Sequence, residues 1–190
     1  NNYSTNGYDL IYMNSTGRSA SSGFNFDLCY TDGDDDIQHT RRGDGATYNR
    51  TGTYGTADYA EYLAKRDPND VFEKGDILGV FNGKVSKETK GAQQVMVVSS
   101  AAAVAGNWPG EDDHGYELVS FFGQVNTKVK GIVNKGDFII PSGEDDGIGI
   151  AVSLNDLTPE NRIHVVGRAW ESSSNEDVTL INTAVGFAFG

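Results

Sequence analysis

The residues best suited to chemistry by type and spacing are two carboxylates, Asp58 and Glu61, in the run Gly55-Thr56-Ala57-Asp58-Tyr59-Ala60-Glu61-Tyr62. Small residues precede them and aromatics follow. A pair of carboxylates can divide the work of hydrolysis. One takes a proton from water or polarises a carbonyl, and the other protonates the departing amine. A carboxyl group desolvated beside tyrosines has its charged form disfavoured, which suits an acid or base working near neutrality. By spacing alone, the same pair reads more readily as two surface acids on a short connector.

Other nucleophiles and ligands are poorly supported. The histidines are His39, His114 and His164, and no Gly-x-Ser-x-Gly elbow accompanies them. His164 falls between Ile163 and Val165 as in an alternating strand, and His114 lies in an acidic loop. The single cysteine, Cys29, excludes an internal disulfide and reads as packing in a strand. Asp32, Asp34 and Asp36 open like a calcium loop, but Ile37 and Gly43 stand where that loop needs glycine and glutamate. Glu111-Asp112-Asp113 and Glu144-Asp145-Asp146 read as solvated turns. Gly43-Asp44-Gly45 and Gly147-Ile148-Gly149 lead into no helix and are not phosphate loops. No metal or cofactor is implied. Trp108, Tyr116 and Trp170 offer stacking surfaces for a receptor or glycan, or else belong to a core.

The elements that must position these groups are strands. Of 190 residues, 24 are glycine and only 4 proline, with 9 Tyr and 9 Phe, a composition of short strands and tight turns. Twenty-seven acidic residues against 15 basic give a net charge of −12, and no basic patch offsets it, so nucleic acid is not an expected partner. No apolar run approaches the roughly 20 residues of a membrane helix. Asn1-Asn2-Tyr3-Ser4 lacks a leader signature, and so abrupt a polar start suggests a piece of something longer. The sequons at Asn2, Asn14 and Asn49 matter only in a glycosylating host.

A composition change near residue 57 divides the chain. Residues 1–57 are rich in Ser, Thr, Asn and Gly. Their strand signals are Tyr8 to Met13 and the alternation Phe24, Phe26, Leu28, Tyr30. So thin a core is completed by other chains. Residues 58–190 concentrate Val, Ile and Leu in runs at Asp76–Phe81, Gln94–Ser99, Tyr116–Val125, Phe138–Pro141, Ile148–Leu154, Ile163–Trp170 and Val178–Phe187. Lys74-Gly75-Asp76 and Lys135-Gly136-Asp137 each feed an apolar strand, hinting at two related halves of one barrel. Ala101 to Ala105 reads as loop. Helix is confined to a turn with Thr158 as cap and Pro159 first. The expected fold is all-β, a trimeric stranded stalk followed by a compact barrel-like domain with at most short helical turns.

Ala57-Asp58-Tyr59-Ala60-Glu61-Tyr62 resembles the signature of the autocleaving, intramolecular-chaperone C-terminal domain of bacteriophage pre-neck appendage and tail spike proteins, a glutamic-peptidase type family. Arg41 to Gly52, Phe72 to Gly79, Val125 to Val133, Gly136 to Gly143 and Val166 to Ser172 resemble it in the same order, so the likeness covers about residues 36–190. It implies a scissile bond between Ala57 and Asp58, with Asp58 and Glu61 as the acidic pair and their individual roles open. The family carries serine where this chain has Ala57. The resemblance further implies a homotrimer in a virion tail or fibre, joined to the rest of the fibre chain. Two other readings keep part of this: a non-cleaving trimeric cap on a phage or bacterial surface fibre, and a receptor- or glycan-binding tip.

Overall fold

The computed structural model describes residues 25–30, 37–42, 47–49, 58–110 and 113–186. Several features singled out above lie outside the described residues: Ala57, Asp32/Asp34/Asp36, Tyr8 to Met13, Glu111, Asp112, and the sequon asparagines Asn2 and Asn14. The chain divides into two compact units, Asn1–Tyr54 and Gly55–Gly190. In the first, β1 (Asn25–Tyr30), β2 (Ile37–Arg42) and β3 (Thr47–Asn49) form an antiparallel sheet with β2 in the middle. β1 is the strand that the alternation up to Tyr30 predicts.

The second unit is almost all β. Its strands are β4 (Asp58–Lys65), β5 (Ile77–Phe81), β6 (Lys84–Ser86), β7 (Gln94–Val98), β8 (Ala102–Gly106), β9 (Tyr116–Lys130), β10 (Phe138–Pro141), β11 (Gly149–Val152), β12 (Gly167–Ala169) and β13 (Val178–Val185). The pairings close two rings that share the long strand β9. One ring runs β9-β7-β5-β6-β4 and back to β9; the other runs β9-β13-β12-β10-β11 and back to β9. Each ring has one parallel pairing, β4 with β6 and β9 with β11, and antiparallel pairings elsewhere. The two are therefore the same topology used twice. β9 closes the first ring with the half that pairs with β4 and opens the second with the half that pairs with β13. The halves meet at Gly123, which is in register with both Asp58 and Val185.

The repeated Lys-Gly-Asp segments are the same turn in both rings. Gly75 and Gly136 have φ of 85° and 95°, where a side chain would strain the backbone. Asp76 Oδ2 accepts the Glu73 N–H at 2.9 Å, and Asp137 Oδ2 accepts the Asn134 N–H at 2.8 Å. Gly75 N–H donates to the Val98 carbonyl as Gly136 N–H donates to that of Ala169, and both acceptor residues donate back to the aspartate carbonyl. The sequence pattern pointed to two halves of one barrel; instead, each half closes as its own ring.

Strand alternation divides the apolar residues of β5 and β7 between two cores. Ile77, Val95 and Val97 join Val125, Val129, Ile139, Ile181 and Val185 around the second ring. Leu78, Met96 and Val98 turn the other way, toward Val85 and Val119. Both faces of these strands are buried, which explains their unbroken apolar runs. Each such side chain contributes roughly 1.5–3 kcal/mol on burial.

Two expectations need correction. Ala101 to Ala105 is not loop, because β8 pairs in parallel with β4 from Asp58 to Glu61. Five small residues hold too little apolar surface to announce a strand, and the pairing itself makes one. His164 lies in the turn after helix α1 (Pro159–Arg162), its N–H bonded to the Asn161 carbonyl, rather than in a strand. The helix has the expected cap, with Thr158 accepting from the Asn161 N–H and Pro159 beginning the turn. Among the described residues, no helix is long and apolar enough to cross a membrane.

Gly186 closes β13 at φ 78°, and a Cβ there would lie 2.1 Å from the Phe121 carbonyl oxygen of β9. Backbone must move to admit it. Gly186→Ala is expected to lower unfolding free energy by about 2–4 kcal/mol, combining left-handed strain with overpacking. Denaturant titration measures this, and an unchanged midpoint would refute it.

Candidate functional site around Asp58

Asp58 is the first residue of β4 and is 3% exposed. Its Oδ1 accepts the Ser99 hydroxyl at 3.1 Å, while Oδ2 is buried with no hydrogen-bond partner among the described residues. Ser120, in register with Ala60 across β9, is likewise buried with an unpartnered hydroxyl. A buried polar atom left unsatisfied costs about 1–3 kcal/mol, so these two atoms are candidates for a further partner. The neighbouring strands are irregular here. β9 shifts register against Tyr59/Ala60 and β8 against Asp58/Tyr59, bulges of the kind that re-aim side chains beside sites.

Glu61 faces the other way. Alternation along β4 buries Asp58 and Ala60 and turns Tyr59 and Glu61 to the opposite face. There the Tyr59 hydroxyl donates to Glu61 Oε1 at 2.6 Å. That bond, with partial desolvation and the charge of Glu61, pushes the Tyr59 phenol above its ordinary range. Gly106 of β8 lies beneath the pair: a Cβ there would meet the Tyr59 hydroxyl at 3.0 Å and Glu61 Cγ at 3.1 Å. Tyr59 also meets Phe121 edge-on, with ring centroids 6.3 Å apart. The structure therefore does not bring the two candidate carboxylates together within one chain. It gives Asp58 a buried serine-lined setting and Glu61 a surface tyrosine.

The same surface is apolar. β4 registers place Val104 of β8 and Phe122 of β9 on either side of Tyr59, and the three are 49%, 53% and 40% exposed. β8 pairs with β4 alone among the described strands, so no described strand takes its other edge. Trp108 and Tyr116 are exposed rather than core, and Trp108 packs against Tyr62 at 6.3 Å. Trp170 is exposed too, but follows β12 in the other ring.

Sequence reading missed Asp76 as anything more than a turn residue. It is 1% exposed and receives Lys128 Nζ at 2.7 Å and Lys87 Nζ at 3.2 Å; Lys128 also pairs with Glu73. Burial works against the Lys128 charge, but its bonds to Asp76 and Glu73 outweigh burial and hold its pKa above the ordinary lysine range. The acidic run at Glu144 is knitted rather than free. Asp145 accepts the Thr89 N–H, and Asp146 accepts from Ser142 and Ile148. No group of three His, Cys, Asp or Glu side chains among the described residues is arranged to hold a metal.

No protein-family model matches this chain, and no curated protein matches it. Two solved structures are similar. One is the C-terminal fragment of bacteriophage phi29 gene product 12, at 15% identity over 67% of this chain and 99% of that one, with a TM-score of 0.49. The other is the pre-mature bacteriophage phi29 gene product 12, at 14% identity over 78% of this chain, with a TM-score of 0.54. This chain spans 24% of the length of that second protein. At such identity the likeness is one of fold: the chain shares its β architecture with part of a phage protein.

Proposed function

We propose that this chain is the C-terminal end of a viral tail spike or fibre, trimerising through its second unit and cutting itself between Ala57 and Asp58. The observation that carries this reading is the buried carboxylate oxygen of Asp58, without a partner among the described residues, on the first residue past that bond. In sequence the bond follows shortly after Tyr54, the last residue of the first unit. The fold likeness to a phage protein described as pre-mature supports the setting.

The chemistry is hydrolysis. Water adds to the Ala57 carbonyl carbon, a carboxylate takes its proton, and an acid delivers a proton to the Asp58 nitrogen as the C–N bond breaks. The products are an Ala57 carboxylate and an Asp58 amine. Bond and carboxylate share one chain, so Asp58 acts with the advantage of an intramolecular group. Glu61 is on the far face of its own β4, so it serves a neighbouring copy, presented across the trimer by the surface of Tyr59, Val104 and Phe122. The other edge of β8 is covered in the same assembly, as exposed edges require.

Intact mass of freshly expressed protein under denaturing conditions, beside native light scattering, tests the proposal. Fragments of residues 1–57 and 58–190 from a trimer are expected. A single uncut trimeric chain would leave a structural cap, which the alanine at position 57 favours. A monomer would end both readings. Val104→Lys places three like charges around the assembly and is expected to dissociate it at concentrations where the parent is trimeric, since such juxtaposition costs several kcal/mol. An unaltered trimer would remove β8 from the interface.

A further inference from the structure

A cleft of about 480 Å³ opens at the end of the first ring and shares one wall with the Asp58 site, since its lining includes Ser99, whose hydroxyl donates to Asp58. Its walls include the aromatic rings of Tyr62, Phe72 and Tyr116. Two carboxylates, Asp113 and Glu117, and two cations, Lys65 and Lys74, line it with them. This is the make-up of a small-ligand site, apolar faces with a few convergent polar groups. Among the described lining residues, which also include His114, the two carboxylates match the two lysines, which disfavours both a phosphate-bearing and a cationic ligand.

Glu117 is the informative residue. It is half-buried on β9, and the hydrogen bond recorded for its carboxylate is a long one, 3.3 Å, from the N–H of the adjacent Leu118. Burial pushes its carboxyl above the ordinary range, and the Leu118 N–H and Lys65 reverse this only in part. Lys65 donates to the Asp70 carbonyl at 3.0 Å and lies 5.6 Å from the centre of the Phe72 ring, holding one wall in place. A carboxylate so poorly supplied with donors among the described residues, in a cleft walled by tyrosines, suits a ligand that brings its own hydroxyl donors and an apolar face.

We propose that this cleft binds a neutral pyranose saccharide, the C–H face of the sugar against Tyr62 or Tyr116 and its hydroxyls on Asp113 and Glu117. Aromatic rings meet the apolar face of a sugar and carboxylates accept its hydroxyls, which uses the tyrosines and both acids of the cleft. The proposal calls on neither Asp58 nor Glu61, so loss of cleavage and loss of saccharide binding are separable even though Ser99 lines the cleft and donates to Asp58.

The test is a glycan array with the intact trimer or chain as it is expressed, followed by titration of the best neutral oligosaccharide into the Trp170→Phe protein. That background leaves Trp108, packed on Tyr62, as the sole indole of the two in the sequence, so its emission reports occupancy. Saturable binding is expected, weakened at least about tenfold by Tyr116→Ala and by Glu117→Gln. Should Tyr116→Ala fail to fold, Glu117→Gln decides alone. Absence of saturable binding to any neutral saccharide overturns the proposal, as does an affinity that Glu117→Gln leaves unchanged.

Discussion

Trimers assembled from Asp58→Asn and Glu61→Gln chains together are expected to yield cut product from the Glu61→Gln chain alone. On the proposed reading the reason is the alternation of β4, which buries Asp58, the first residue past the Ala57–Asp58 bond, and turns Glu61 to the surface with Tyr59. A trimer of Asp58→Asn chains lacks the buried carboxylate in every copy. A trimer of Glu61→Gln chains lacks the acid supplied by the neighbour. Either loss removes an acid–base partner worth about a hundredfold to ten-thousandfold in rate, enough to leave the chain intact through expression. In a mixed trimer, a Glu61→Gln chain keeps its own Asp58 and borrows Glu61 from an Asp58→Asn neighbour, so it alone is restored. Chains distinguished by mass make the assignment direct. Cutting of Asp58→Asn trimers would remove Asp58 from the reaction. Normal cutting of Glu61→Gln trimers would remove Glu61. Mixed trimers that cut neither chain would end the assignment across copies.

The spacing of the two acids shows what the sequence could and could not convey. A separation of three puts side chains on one face of a helix and on opposite faces of a strand. The pairing was legible as a motif, but its geometry depended on whether the Asp58 run is a strand. That in turn depends on β8 and on the distant β9, which flank it. Neither partner is adjacent in sequence, and β8 has a single valine among alanines and a glycine, too little to signal a strand. The runs at Gln94 and Phe138 were legible because burial on both faces demands unbroken apolar residues. β6, only Lys84–Ser86, was too short to register. The turns before β5 and β10 were readable because glycine at positive φ and an aspartate that accepts backbone N–H leave a fixed local signature.

That shared turn also isolates what sequence could not show, the different fates of Asp76 and Asp137. Local bonding is the same in both. Only Asp76 is covered by the other ring: Lys128 of β9 reaches it, and a Cβ on Gly147, in the loop before β11, would lie 2.8 Å from its carboxyl carbon. A local reading sees two equivalent aspartates, and the packing of one ring on the other makes one of them a buried charge.

Lys128→Met is therefore expected to destabilise the second unit by about 3–5 kcal/mol, the usual cost of removing one partner from a buried ion pair. The Asp76 carboxylate stays buried, with Lys87 at 3.2 Å and the Glu73 N–H as its remaining partners. Asp137→Ala, by contrast, removes the equivalent local bond from an aspartate that no lysine covers, and is expected to cost only about 0.5–1.5 kcal/mol. The Lys128 pKa is raised in the folded chain, so its contribution is fully present below the unfolded lysine pKa and is lost as pH rises through the folded one. The difference between parent and Lys128→Met should accordingly be level across neutral pH and shrink only in strongly alkaline solution. Denaturant titrations of parent, Lys128→Met and Asp137→Ala at neutral and alkaline pH measure all three quantities. Equal costs for the two variants would mean that the second ring does not bury Asp76, and a difference that shrinks on acidification would mean that a carboxylate, not Lys128, governs the pair.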